Sequence, residues 1–124
     1  VVRLLVIDDD AVIIELLRVS FEIEGFEVIS ARDGQEGLER ARADRPDVVI
    51  SDIMMPRLDG LQLVTRLKGD PATRHLPVIL LSAKAQNAEV QQGLEAGADD
   101  YVTKPFDPLE LIDIVHSVLE RDQR

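Results

Sequence analysis

The chain has 124 residues, 45% of them hydrophobic, which suits a single domain with one sizeable core, expected here over residues 1–124. Its net charge of −10 repels phosphate backbones and speaks against direct binding of nucleic acid or anionic lipid by this chain. The longest apolar runs, such as Val48-Val49-Ile50 and Val78-Ile79-Leu80-Leu81, are far short of the ~20 residues that a membrane-spanning helix needs. With no cysteine and no charged start followed by an apolar leader, a cytoplasmic location is expected.

Short runs rich in Val, Ile and Leu alternate with helix-period segments five times along the chain. The first strand is expected from Arg3 to Asp8, and the helix after it should stop at Gly25 in a left-handed cap. A second strand, Phe26 to Ser30, precedes a helix whose start is marked by Asp33 with Glu36 three residues on, like a capping box. The third strand, Asp47 to Asp52, leads to a helix announced by Asp59 and Gln62 at the same spacing. The fourth, Pro77 to Ser82, is followed by a helix that Gly97 should end, and a short fifth strand lies near Asp99 to Thr103. Asp107-Pro108-Leu109-Glu110 then combines an N-cap acid, a proline at the first helical position and a glutamate at the third. The last helix carries Leu111, Ile114, Val115, Val118 and Leu119 on one stripe. Strands one, three and four are apolar almost throughout, the pattern of a parallel sheet covered on both faces. The expected fold is therefore α/β: a flavodoxin-like, doubly wound (βα)5 three-layer sandwich with strand order 2-1-3-4-5.

In such a sheet every strand points the same way, and ligands bind beyond the carboxyl ends. Strand one ends in Asp8-Asp9-Asp10, strand three in Asp52, strand four in Ser82, and strand five runs into Lys104-Pro105, whereas strand two ends in Ser30-Ala31 with nothing reactive. The expected strand order makes the four reactive ends neighbours. Each residue alone has an ordinary explanation as a turn former, a cap or a solvated charge. Their coincidence at one end is the signal. Asp10 immediately precedes the first helix and is read as its cap, outside the site.

Clustered carboxylates repel one another unless a hard divalent cation sits among them. Mg²⁺ fits best, with Mn²⁺ as the alternative, because it takes one or two carboxylates and completes its shell with water and phosphate oxygen. A carboxylate such as Asp52, with an ordinary pKa of ~3.9, is already ionised at neutral pH and needs no general base. Phosphoryl transfer then asks mainly for positioning and charge neutralisation, which the cation and Lys104 would supply while the Ser82 hydroxyl donates a hydrogen bond.

Four motifs carry a resemblance that spans the chain from end to end. They are Leu5-Val6-Ile7-Asp8-Asp9-Asp10; Ser51-Asp52-Ile53-Met54-Met55-Pro56 with Asp59-Gly60; Pro77-Val78-Ile79-Leu80-Leu81-Ser82-Ala83; and Gly97-Ala98-Asp99-Asp100-Tyr101-Val102-Thr103-Lys104-Pro105-Phe106. In this order and spacing they resemble the receiver domains of two-component response regulators. The resemblance implies that Asp52 is the phosphoacceptor, that Asp8, Asp9 and Asp52 hold Mg²⁺ with the backbone carbonyl of Met54, and that Lys104 and Ser82 contact the phosphoryl group. It also implies a switch pair of Ser82 and Tyr101, and a cis bond between Lys104 and Pro105. The phosphodonor would be a sensor histidine kinase or a histidine phosphotransfer protein. A downstream partner or an attached output domain would read the face formed by the fourth helix, fifth strand and fifth helix. Such a domain is not an enzyme beyond its own phosphotransfer and dephosphorylation, and Met54 and Lys84 occupy the positions that tune the latter.

Two rival sites fit less well, and neither histidine suggests a third. An aspartyl phosphatase of the haloacid dehalogenase type wants a second acid two residues after the nucleophile, where this chain has Met54. A flavin module cradles phosphate in a Ser/Thr/Gly-rich loop after strand one, which Asp8-Asp9-Asp10 would repel. His116 sits on a helix flank and His75 in a polar loop, and a phosphorelay histidine belongs in a helical bundle that this strand pattern excludes. The chain starts without methionine and ends soon after the last helix, which leaves both a stand-alone domain and a piece of a longer protein open. The stretch from Lys68 to Pro77 resembles loops of stand-alone receivers, hybrid kinases and cyclic-di-nucleotide synthases. Ile114 stands where receivers of winged-helix transcription factors usually carry arginine, which leans away from that dimerising class.

Overall fold

Five strands, β1 (Arg3–Ile7), β2 (Glu27–Ala31), β3 (Val48–Asp52), β4 (Val78–Ser82) and β5 (Asp100–Thr103), alternate with five helices in the computed structural model, which describes residues 1–83 and 88–122. The helices are α1 (Ala11–Ile23), α2 (Gly34–Asp44), α3 (Gly60–Gly69), α4 (Ala88–Ala96) and α5 (Pro108–Asp122). The sheet is parallel throughout, in the expected order β2-β1-β3-β4-β5. Observed and expected strand limits differ by about one residue, as termini commonly do.

Successive strand residues point to opposite faces, so one apolar run fills two cores. Leu4, Val6, Ile50 and Leu81 face α1 and α5, where they meet Leu17, Phe21, Leu111 and Val115. Leu5, Ile7, Val49 and Leu80 face the other three helices, against Leu38, Leu63, Leu67 and Val90. This explains why strands buried on both sides show no polar alternation.

Helix ends hold the layers in place. Asp10 caps α1, accepting the Val12 N–H at 2.9 Å. Asp59 and Gln62 form the reciprocal capping box at α3. At α2 only half of the expected box is made: Asp33 accepts the Glu36 N–H at 2.8 Å, but the Glu36 carboxylate reaches back to the N–H of Arg32. Gly25 and Gly97 have φ of +91° and +118°, left-handed positions that side chains rarely occupy. Two other glycines matter through close approach. A Cβ at Gly34 would overlap the Leu58 carbonyl, and one at Gly60 would fall 2.5 Å from the Asp52 carbonyl oxygen. The β3–α3 turn is thereby clasped against both α2 and the end of β3.

The Asp33 carboxyl is held below its ordinary range, first by the Glu36 amide and then, against a smaller opposing effect of burial, by Arg57. A lowered folded-state pKa stabilises the fold above the unfolded value of ~3.9, and this contribution is lost as pH falls through the still lower folded value. Asp33→Ala should therefore cost about 1 kcal/mol at neutral pH. Denaturant titrations across pH should show the gap from wild type narrowing below about pH 4. A gap that stays constant or widens toward acid would contradict the ionised cap.

Candidate functional site

Three backbone hydrogen bonds carry the sheet ladder one residue past the strand ends, anchoring Asp8, Lys104 and the residue that follows Asp52. The Asp8 N–H donates to the Ala31 carbonyl at 3.1 Å, the Ile53 N–H to Leu81 at 3.0 Å, and the Lys104 N–H to Ser82 at 2.6 Å. Residues that follow strands are thus as firmly placed as residues within them.

These anchors bring together the ends of β1, β3 and β5. Asp8 is fully buried, and the side chain of Asp52 is 11% exposed. The Lys104 ammonium donates to Asp8 Oδ2 at 3.0 Å and lies 3.4 Å from Asp52 Oδ2. The other oxygen of Asp8 accepts the Asp10 N–H at 2.9 Å. One carboxylate oxygen from each of Asp8, Asp9 and Asp52 can be chosen so that all lie within 4.8 Å of one another. Asp10 is turned to its cap and stands outside this group.

Burial pushes the Asp52 carboxyl above its ordinary range, and the Asp8 charge adds to the rise; Lys104 and the Met54 amide oppose it without cancelling it. Burial alone would lower the Lys104 ammonium, yet its contacts with Asp8 and Asp52 outweigh this and raise it. Two of the three carboxylates contact the Lys104 ammonium, and among the described residues no other cation pairs with the cluster, so it is over-acidic. This donor set fits a hard divalent cation: all-oxygen, compact, and short of positive charge.

Ser82 is buried at the end of β4, beside the carboxyl end of β3. Tyr101 is half-buried on β5 and packs against the α2–α3–α4 side of the core. The Met54 side chain is 67% exposed in the turn after β3, and the Lys104–Pro105 bond is cis. Lys84 lies outside the described residues.

Sequence reasoning missed a supporting pair at the rim. Arg57, in the turn that carries Met54, has φ of +66° and donates from Nε to Asp33 at 3.1 Å, with a second guanidinium nitrogen on the same oxygen. A left-handed arginine is strained relative to glycine. Its two-pronged grip on the α2 cap helps hold that conformation. Asp33 was visible only as a cap, because its partner lies 24 residues on in another loop.

Residues 4–116 match the family model described as response regulator receiver domain. The transcriptional regulatory protein CseB of Streptomyces coelicolor is 49% identical over 119 residues, covering 96% of this chain and 50% of that protein. PhoP of Bacillus subtilis, a transcriptional regulatory protein for alkaline phosphatase synthesis, is 39% identical over 121 residues, covering 98% and 50%. The chain spans about half the length of these relatives. Among solved structures, the signal receiver domain of a histidine kinase from Syntrophus aciditrophicus superposes with a TM-score of 0.92 at 35% identity, covering 100% of this chain and 94% of that one.

Asp9 and Asp10 should separate by role. Asp9→Ala removes one of the three carboxylates that could hold a cation and should weaken Mg²⁺ binding by about tenfold or more while leaving the fold intact. Asp10→Ala should cost about 1 kcal/mol of stability with little change in affinity. NMR titration with Mg²⁺, alongside denaturation of each variant, separates the two, and equal affinity losses would put Asp10 in the site.

Proposed function

Because this chain belongs to the response regulator receiver domain family, we propose that Asp52 accepts a phosphoryl group from a phosphohistidine and that the fold changes state in consequence. Receiver domains are the phosphoacceptors of two-component systems. The observation that carries the residue assignment is the convergence of Asp8, Asp9 and Asp52 with Lys104, at 3.0 and 3.4 Å, on the carboxyl end of a parallel sheet. An Asp52 oxygen attacks phosphorus, forming a P–O bond as the donor's P–N bond breaks and the imidazole leaves with the bonding electrons. Lys104 neutralises charge on the transferred group, and the Ser82 hydroxyl donates to one of its oxygens.

A divalent cation held by Asp8, Asp9, Asp52 and the Met54 carbonyl would supply the charge neutralisation that one ammonium leaves incomplete, with Mg²⁺ preferred and Mn²⁺ acceptable. The donor would be a histidine kinase or a histidine phosphotransfer protein, met in the cytoplasm. Phosphorylation would favour the state in which Ser82 has moved toward the phosphoryl group and Tyr101 has turned inward, altering the face formed by α4, β5 and α5. CseB and PhoP are named as transcriptional regulators and are about twice as long, which favours a transcriptional output beyond these residues. Their names weigh against the opposite leaning drawn from Ile114. An aspartyl phosphatase reading gains nothing, since Met54 offers no acid to a leaving group.

Acetyl phosphate with Mg²⁺ should add one phosphoryl mass, labile to hydroxylamine, and Asp52→Asn should add none by intact-mass analysis. Full labelling of the Asn variant would defeat the assignment. The phosphoryl lifetime should be comparatively long, because the thioether of Met54 only weakly accepts hydrogen bonds and cannot orient an attacking water well, and a charged lysine such as Lys84 has no acceptor. Met54→Asn, alone or with Lys84→Glu, should speed decay by about tenfold, which needs only ~1.4 kcal/mol of barrier. Decay is timed after donor removal, and an unchanged half-life for the double variant would locate control elsewhere.

A further inference from the structure

The negative charge of this chain is concentrated in one part of the fold. Between residues 85 and 120 the sequence contains Glu89, Glu95, Asp99, Asp100, Asp107, Glu110, Asp113 and Glu120 against Lys104 alone, which accounts for seven of the ten net negative charges. That lysine is spent inside the carboxylate cluster. Neither α4 nor β5 contains an arginine or lysine, and α5 has none before Arg121.

β5 is an edge strand, hydrogen-bonded only to β4, and α5 flanks it. Along this edge runs a groove of about 470 Å³ whose apolar lining includes Tyr101, Phe106 and Ile114 and whose acids are Asp100, Asp107 and Glu110. Asp100 accepts the Tyr101 N–H at 2.8 Å and Asp107 the Leu109 N–H at 3.0 Å. Among the described residues none of the three acids forms an ion pair. Acids near a helix start are favoured locally by the α5 dipole, which explains Asp107 and Glu110 one at a time. It does not explain a face on which, among the described residues, α4, β5 and α5 place no cation before Arg121.

We infer that the β5–α5 groove docks an arginine- and lysine-rich protein surface, with Tyr101 and Ile114 receiving the apolar side of that partner. This rests on the reading of α4, β5 and α5 as the output face and names the chemistry of what the face takes. A two-fold dimer through this edge would set acid against acid, whereas a cationic partner meets complementary potential. The surface of a nucleic-acid-binding module has that character.

The test titrates the ¹⁵N-labelled chain with a synthetic amphipathic peptide of leucine, lysine and arginine, and with its glutamate-for-lysine/arginine counterpart. Shifts should cluster at Tyr101, Phe106 and the start of α5 with the cationic peptide only. Asp100→Asn/Asp107→Asn/Glu110→Gln keeps the caps and should weaken binding about tenfold, while Glu22→Gln/Glu24→Gln/Glu39→Gln, equal in charge change, should leave it nearly unaltered. Equal losses in the two triple variants would overturn the inference, showing attraction to net charge alone. Dimerisation of the wild type through this edge, seen by sedimentation together with shifts in the same residues, would overturn it as well. Repeating the titration with acetyl phosphate and Mg²⁺ tests the underlying reading separately. A changed affinity supports an output face, and an unchanged one refutes that reading while the charge-selective groove stands.

Discussion

The contact between the Lys104 ammonium and the two buried carboxylates, 3.0 Å to Asp8 and 3.4 Å to Asp52, depends on strand order more than on any local feature. Lys104 follows β5 and Asp8 follows β1, 96 residues away, and they meet only across the ends of β3 and β4 that lie between them. Removing charged groups from water is costly, and the one ammonium that contacts Asp8 and Asp52 among the described residues repays it only in part. Asp52 records the shortfall as a raised pKa. The surrounding apolar strands hold this unfavourable cluster in place, and a cation or phosphoryl group can then exploit it.

Holding the cluster also requires the β3–α3 turn to be rigid, since that turn follows Asp52 directly. Gly60 lets the start of α3 press on the Asp52 backbone, Gly34 lets α2 press on Leu58, and Arg57 bonds across to Asp33. A side chain at either glycine would push backbone against backbone, which has no flexible end to give way. The Arg57–Asp33 pair is partly exposed and contributes modestly on its own. Its effect is to select one conformation of a turn that the two glycines have already brought close.

The sequence made the sheet order and the composition of the carboxylate cluster visible for one reason: strands buried on both faces leave polar residues nowhere but their ends. Asp10 could be separated from Asp8 and Asp9 because an acid immediately before a helix has its own local duty, and the Val12 amide fulfils it. What could not be read depends on contacts between loops. Glu36 turning to Arg32 instead of completing a box with Asp33 follows from the path of the chain into α2. Arg57 gives no sign in sequence that it adopts a left-handed backbone or reaches 24 residues back. The groove beside β5 was likewise hidden, although its charge imbalance could have been counted along the chain.

The site and the acidic edge are joined by a short stretch of the β4–β5 ladder. Ser82 pairs with Thr103 and Leu80 with Tyr101, so in a parallel sheet these four side chains share the face that α4 covers. Leu80 is fully buried there, and α4 approaches it so closely that a Cβ on Gly93 would fall 2.4 Å from its Cδ1. Tyr101 is packed against this same layer and also lines the groove. A well-packed interior has little free volume, so a change at Ser82 meets Leu80, Tyr101 and α4 as one contiguous layer. The carboxylate cluster lies at the strand ends and the groove at the sheet edge, and β5 belongs to both: Lys104 follows its last residue while Tyr101 borders the outer acids. The four residues of β5 thus line the groove and lead directly into Lys104, which contacts the buried carboxylates.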